Sequence, residues 1–171
     1  EINMSGVNSI NWARIIPQIV YYFFGYFQIN NSSQKINFSV PTGNFGDVFA
    51  GYIAKKMGLP INKLIVATNK NNILKRVIDT GIYKPKEVFQ TISPSMDIQI
   101  ASNFERLIFY ISSHDDQITL NKMEELKKNN EFKLNNEQMS IIRKDFISES
   151  LSEDETKNVM KEINKNYNIF V

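Results

Sequence analysis

The sequence predicts an α/β fold in which helices flank a parallel sheet. Two apolar runs, residues 36–40 and 63–68, have the length and composition of buried strands. Apolar residues recur at helical spacing between them, over residues 45–53. A strand–helix–strand unit of this length requires parallel strands joined by a right-handed connection.

The composition excludes several classes of protein. The 171 residues suffice for one compact domain or for a large part of a two-lobed enzyme. A net charge of +2 without a basic stripe argues against a nucleic-acid partner. The absence of cysteine excludes disulfides, a thiolate nucleophile and a cysteine-based metal site, and it agrees with a cytoplasmic location. The chain starts without an initiator methionine or a signal-peptide pattern, which favours a portion of a larger protein.

The first predicted element is a helix over residues 12–27. Its apolar residues cover nearly every side, and a helix of this kind is expected to be buried among other elements. Residues 15–29 are shorter than the roughly 20 residues that cross a bilayer, and they include Pro17 and Gln18. We therefore predict a buried helix rather than a membrane span.

The next elements follow from clear start and stop signals. Residues 30–34 are a polar loop before the first strand, and the helix that begins at Phe45 ends at Gly58, which follows two lysines and precedes Pro60. After the second strand, a short helix over residues 73–79 ends at Gly81. Residues 83–100 contain two prolines and are predicted to be irregular.

The chain from residue 114 onwards is rich in asparagine, lysine and glutamate, and we predict a polar, mainly helical segment there. Two capping boxes, at Ser102 and Ser152, predict helix starts. Apolar spacing predicts further helices around Met123 and over residues 139–147, and 169–171 resemble the start of a strand. We divide the chain into an α/β region, residues 1–113, and the polar segment, residues 114–171.

The turn after the first strand carries the clearest chemical signal. Gly43, Asn44, Phe45, Gly46 and Asp47 lie where a strand passes into a helix, so backbone N–H groups and the helix dipole can stabilise an anion such as phosphate. Glycine permits the close approach that such a site needs. The spacing matches neither Gly-x-Gly-x-x-Gly nor a P-loop. From spacing alone, an ordinary strand–helix turn remains the alternative.

Other residues give weaker signals. Arg14 offers a planar fork for phosphate or carboxylate, with Asn8 and Ser9 as neutral donors one to two turns earlier, although an arginine here also suits an exposed helix face. His114 is the single histidine and lies in a polar loop, so we expect it to be exposed. Without a second histidine or any cysteine, we predict no metal site.

Four segments together resemble the threonine synthase family, which uses pyridoxal 5'-phosphate and has the tryptophan-synthase β-like (fold-type II) architecture. They occur in the family's order and contain Asn8-Ser9-x-Asn11-Trp12-x-Arg14, Gly43-Asn44-Phe45-Gly46-Asp47, Ser93-Pro94-Ser95-Met96-Asp97 and Asn103-Phe104-Glu105-Arg106. The resemblance implies that residues 43–47 bind the cofactor phosphate. It also implies that Asn8, Ser9, Arg14 and the Asn44 side chain bind the substrate, O-phospho-L-homoserine. The residues of the last two segments are assigned to structure.

The resemblance implies conversion of O-phospho-L-homoserine and water into L-threonine and phosphate. The family's Schiff-base lysine precedes the Asn8-Ser9 motif in a Phe-Lys-Asp context, and Lys144, in the order Arg-Lys-Asp-Phe, does not match it. We therefore assign no catalytic residue to this chain, and expect these residues alone to be inactive without the rest of the same chain. Oligomerisation stays open, and we expect no membrane partner. The alternatives are a non-catalytic phosphate- or nucleotide-binding module and another fold-type II enzyme such as a dehydratase.

Overall fold

The computed structural model describes residues 11–29 and 34–169, and it confirms the predicted α/β class. Its longer helices and its strands alternate over the first half of the chain, and helices predominate in the second half. In chain order the elements are α1 (Trp12–Ile29), β1 (Ile36–Pro41), α2 (Gly46–Lys56), β2 (Ile61–Thr68), α3 (Ile73–Thr80), β3 (Ile82–Tyr83), a 3-10 turn (Pro94–Met96), α4 (Phe104–Ile111), α5 (Asp116–Asn129), β4 (Phe132–Lys133), α6 (Asn136–Asp145), β5 (Phe146–Ser150) and α7 (Glu153–Tyr167).

A parallel sheet forms the centre of the described structure. Its strand order is β1-β2-β5, with Val40 opposite Val66 and Val66 opposite Ser148. The predicted parallel pairing of the first two strands is confirmed. The carboxyl ends of all three strands meet at one edge, which is where ligands bind in sheets of this kind. Strands β3 and β4 form a separate antiparallel pair.

The third strand corrects the prediction of a helix over residues 139–147. Helix α6 ends at Asp145, and β5 begins at Phe146 with alternating buried and exposed side chains. Phe146 is 1% exposed and stacks on Tyr52 with ring centroids 5.5 Å apart. Burial on one sheet face therefore outweighs a spacing that also fits a helix. Strand β5 belongs to the polar segment, residues 114–171, which therefore contributes one strand to the sheet. The division of the chain after residue 113 stays a prediction.

The predicted ends of α2 and α3 are confirmed. Helix α2 has Met57 as its C-cap, followed by Gly58 with φ +106°, and α3 ends at Gly81 with φ +77°. Both glycines adopt the left-handed conformation that other residues adopt at a cost. The capping box at Ser152 is also present. The one predicted at Ser102 is wrong, because α4 begins at Phe104 after Asn103.

Helix α1 is amphipathic in the described structure, which corrects the prediction that it is buried on all sides. Its buried residues are Ile15, Tyr22 and Tyr26. The opposite face exposes large apolar side chains, with Val20 59% and Phe24 65% exposed. Only one row of side chains at i, i+4 and i+7 can reach α2 and the sheet. No described helix combines the length and apolar character needed to cross a membrane.

Helices α1 and α2 are in unusually close contact at Gly51. A Cβ atom built on Gly51 would lie 2.6 Å from the ring of Tyr22 and 2.9 Å from Leu64 Cδ2. The Tyr22 hydroxyl donates a hydrogen bond of 2.9 Å to the backbone carbonyl of Asp47, in the first turn of α2. The absent side chain and this hydrogen bond together hold the two helices at a fixed spacing.

Candidate active site

A cavity of about 510 Å³ opens between the first half of α1 and the turn that joins β1 to α2. It therefore lies at the carboxyl edge of the sheet. Its lining consists of Arg14, Gln18, Pro41, Thr42, Gly43, Asn44, Phe45, Gly46, Asp47, Val48 and Ser95. The structure thus brings Arg14 and all five predicted turn residues to one place. Asn8 and Ser9 lie outside the described residues.

The turn presents a row of free backbone donors to this cavity. Thr42 N–H still pairs with Ala67 O, at 2.8 Å, and Phe49 N–H already donates to Phe45 O in the helix. Within residues 11–29 and 34–169, the N–H groups of residues 43–48 donate no hydrogen bond. With the positive end of the α2 dipole behind them, these groups form a site for an anion.

Phe45 fixes the shape of the turn. It precedes α2 with φ 66° and ψ 5°, a left-handed conformation that costs a residue with a side chain about 1–2 kcal/mol. Its ring is 1% exposed and contacts Phe104 edge-on, with centroids 5.3 Å apart. Burial of the ring therefore stabilises the left-handed backbone conformation from which α2 starts.

Asn103 supports the turn from the protein interior. This asparagine is fully buried, and both its backbone N–H and its side-chain Nδ2 donate to Asn44 O at 3.1 Å. Its Oδ1 accepts a hydrogen bond of 3.0 Å from Arg106 Nε, and the Arg106 guanidinium lies over the Trp12 ring. These contacts agree with the structural role that the sequence suggested for residues 103–106.

Ser95 completes the cavity wall, and sequence reasoning did not single it out for the site. A Cβ atom built on Gly43 would lie 2.5 Å from the Ser95 carbonyl oxygen, so the two backbones are in contact through the missing side chain. Such close approach is the reason for glycine at position 43. A motif in sequence gives no signal that two distant segments touch at this point.

Asp97 anchors the Ser95 segment to the edge of the sheet. Its Oδ1 accepts hydrogen bonds from Asn69 Nδ2 at 2.7 Å and from Asn71 Nδ2 at 2.9 Å. Thr91 donates to the same carboxylate through its hydroxyl, at 2.7 Å, and through its backbone N–H, at 2.8 Å. Since Asn69 directly follows β2, this network fixes Ser95 relative to the strand ends.

We expect Asp97→Asn to destabilise the chain in a pH-dependent way. Desolvation alone would raise the pKa of Asp97, but hydrogen bonds from Thr91, Asn69 and Asn71 leave it below the ordinary value. A lowered native pKa contributes stability above the unfolded pKa of about 3.9, and this contribution is lost as the pH falls through the native pKa. Urea unfolding at several pH values should therefore show that the variant has a lower free energy of unfolding than wild type at pH 7. This difference between the two proteins should become smaller below about pH 4. A difference that stays constant with pH would contradict this role.

The charges around the cavity favour an anion near α1. Arg14 is exposed and forms no ion pair with any acidic residue that the structure describes. Asp47 also lines the cavity, and partial burial raises the pKa of its carboxyl. Gln18, one helical turn after Arg14, also lines the cavity, and sequence reasoning assigned it no role in the site.

The remaining candidates lie away from the cavity. His114 is exposed as expected and contacts the rings of Phe109 and Tyr110 at 5.2 and 4.8 Å. Lys144 precedes Asp145, whose carboxylate pairs with Lys55 at 2.8 Å, at the sheet edge opposite the turn. In the part of the chain that the structure describes, no group of three or more acidic or histidine side chains has a geometry suited to a metal ion.

Comparisons of sequence and of structure both find threonine synthases as similar proteins. Threonine synthase from Saccharomyces cerevisiae is 48% identical over 94% of this chain, and that from Pseudomonas aeruginosa is 43% identical over 92%. A crystal structure of pyridoxal-phosphate-bound threonine synthase from Brucella melitensis superposes with a TM-score of 0.95 at 47% identity, covering 98% of this chain and 36% of that one. No family model matches the sequence.

The match extends over only part of the relatives. The chain spans 34% of the length of the yeast enzyme and 34% of the Pseudomonas enzyme. The superposed structure from Brucella nevertheless covers 98% of this chain, and the alignment with the yeast enzyme covers 94%. Over nearly its whole length, the chain is therefore homologous to threonine synthase and corresponds to about one third of that enzyme.

Proposed function

We propose that this chain forms part of a threonine synthase, which converts O-phospho-L-homoserine and water into L-threonine and phosphate with pyridoxal 5'-phosphate. The observation that supports this proposal most directly is the shared cavity: a row of free amide groups and the Arg14 guanidinium line the same space. Two separate features that favour phosphate suit a reaction in which the cofactor and the substrate each carry one.

The turn has the chemistry to hold the phosphate of the cofactor. Neutral N–H donors at a helix N-terminus bind a dianion without a counter-charge in direct contact. The missing side chain of Gly43 allows the turn to contact the Ser95 backbone, and Phe45 gives the turn its left-handed conformation just before α2. We therefore assign Gly43, Asn44, Phe45, Gly46 and Asp47 to the cofactor phosphate, chiefly through their backbone. When bound, the cofactor supplies an electron sink for carbanion chemistry next to the amino group.

The side chains of α1 and of Asn44 would orient the substrate. The Arg14 guanidinium can hold the substrate phosphate through two parallel hydrogen bonds and stabilise it as a leaving group. The exposed Asn44 side chain lines the same cavity and can donate to the substrate. Asn8 and Ser9 are assigned to the same phosphate on the resemblance alone. We assign the backbone N–H of Asp47, and not its carboxylate, to the phosphate, because a carboxylate facing a dianion would be repelled.

The proton-transferring lysine is expected to come from another part of the same enzyme. Among the described residues that line the cavity, none is a lysine. We therefore propose that the 171 residues alone are inactive and that the rest of the enzyme chain is their partner. The cytoplasm remains the proposed compartment.

Arg14→Ala provides the test of the proposed substrate site. In the full-length enzyme we expect KM for O-phospho-L-homoserine to rise roughly 10- to 100-fold, because a charge-assisted hydrogen bond contributes about 1.5–3 kcal/mol. The affinity for pyridoxal phosphate should stay within about twofold of wild type. Arg143→Ala, an exposed arginine on α6 at the opposite sheet edge, is the matched control and should leave both values unchanged.

The same assay separates the alternatives. Release of phosphate from O-phospho-L-homoserine, with no deamination of L-threonine, supports a threonine synthase. Deamination of threonine without phosphate release would identify a dehydratase. Phosphate binding without either reaction, in the full-length protein supplied with pyridoxal phosphate, would identify a binding module. An Arg14→Ala enzyme with an unchanged KM would remove the substrate-phosphate site from α1.

A further inference from the structure

Gln18 carries an unusual polar group in the wall of the cavity. It lies four residues after Arg14 on α1, so both side chains project from the same face of the helix. Its Oε1 atom is buried and has no hydrogen-bond partner within the described structure. Most buried amide oxygens in native proteins are paired, so an unpaired one at a cavity wall needs an explanation.

The orientation of the amide supplies that explanation. With Oε1 turned into the protein, the amide nitrogen is the end of the side chain that is left to face the cavity. A buried oxygen without a donor destabilises the chain, whereas methionine has nearly the same length and would avoid this penalty. Glutamine is therefore not the residue that packing alone would favour at this position.

The position also suits the substrate phosphate that we assign to Arg14 under the proposed function. Side chains at i and i+4 on a helix have their Cβ atoms about 6 Å apart, close enough for two oxygens of one phosphate to be contacted separately. A neutral amide adds a donor without adding charge, next to a cation on the same helix face. The cavity lining around Gln18 also contains the free amide groups of the turn.

We propose that Gln18 is a further substrate-binding residue, whose Nε2 donates a hydrogen bond to the substrate phosphate held by Arg14. This assignment rests on the proposed function and names a contact that motif matching did not predict. Gln18 binds and positions the leaving group and takes no part in proton transfer. Its contribution should therefore appear in substrate affinity rather than in the chemical step.

Two substitutions in the full-length enzyme test this role. For Gln18→Met we expect KM for O-phospho-L-homoserine and the inhibition constant of inorganic phosphate to rise roughly tenfold, with kcat within about twofold and an unfolding midpoint equal to or above that of wild type. Gln18→Glu keeps the shape but places a carboxylate beside the phosphate, so both constants should rise further. A residue important only for packing would instead lower the unfolding midpoint and leave the KM unchanged.

Gln28→Met is the matched control, since Gln28 is an exposed glutamine on α1 that does not line the cavity.

Calorimetry with inorganic phosphate measures binding without turnover, so it tests the role of Gln18 separately from the proposed function. If wild type converts O-phospho-L-homoserine and Gln18→Met leaves both constants unchanged, the role of Gln18 is refuted and the proposed function stands. If wild type binds phosphate in a Gln18-dependent way but does not convert this substrate, the proposed function fails and the phosphate contact stands. If wild type neither converts O-phospho-L-homoserine nor binds phosphate in a Gln18-dependent way, the proposed function and the role of Gln18 are both refuted.

Discussion

Replacement of Gly43 by alanine is expected to lower kcat/KM of the full-length enzyme by at least about 100-fold, since a shift of about 1 Å in a binding group can reduce rates to this extent. The added Cβ would lie 2.5 Å from the Ser95 carbonyl oxygen, which is well inside van der Waals contact. Asp97 holds the Ser95 segment to Asn69 and Asn71, so that segment cannot easily withdraw. The turn must move instead, and its amide groups lose their alignment. Steady-state kinetics and titration with pyridoxal phosphate measure the two consequences.

Gly25→Ala is the matched control for this experiment. A Cβ atom at this position would approach only Phe38 Cε1, at an ordinary distance of 3.9 Å. Because Gly25 lies inside α1, alanine should leave activity unchanged and stabilise the chain by up to about 1 kcal/mol. A Gly43→Ala enzyme that retains activity within threefold of wild type would show that the contact with Ser95 does not shape the cradle.

Phe45→Ala is expected to cause the largest loss of stability, about 3–5 kcal/mol, as for other buried phenylalanines. The ring is 1% exposed and contacts both Phe104 and Phe146, with centroids 5.3 and 5.8 Å away. Its removal would leave a cavity where α2, α4 and β5 meet, which this compact core cannot easily close. Urea unfolding of the 171-residue chain, followed by circular dichroism, measures the change.

Phe45→Gly makes this prediction more specific. Both substitutions remove the ring, but glycine adopts φ 66° without penalty, whereas alanine does not. We therefore expect the glycine variant to be more stable than the alanine variant by about 1 kcal/mol, the reverse of the usual order at ordered positions. If alanine proves the more stable of the two, the turn does not maintain its left-handed residue in solution.

Sequence reasoning succeeded where the signal was local. The β1 strand, the turn after it and the stop of α2 at Gly58 follow from periodicity and from glycine and proline positions within a few residues. The association of Arg14 with the turn was expected from the family resemblance, and the cavity lining agrees with it.

The features that sequence reasoning missed depend on contacts between distant segments. Strand β5 pairs with β2 about 80 residues away, and its apolar spacing fits a helix equally well before that pairing is known. Ser95 contacts Gly43 in a segment that hydrogen bonds from Asn69 and Asn71 to Asp97 join to the chain after β2. No local pattern marks Gln18, whose significance comes from a buried atom without a partner.

The missing side chain at Gly51 has a consequence for how the site can evolve. Arg14 and Gln18 belong to α1, while the amide donors belong to the turn before α2 and to its first residues, so the distance between the two proposed phosphate sites depends on the interhelical gap at Tyr22. A methyl group at position 51 would widen that gap and move one phosphate pocket away from the other without altering any residue that contacts a ligand. Selection for a longer or shorter substrate could therefore act on position 51, which does not line the cavity. A change in substrate preference that arose in this way would leave the residues of the cavity wall unchanged.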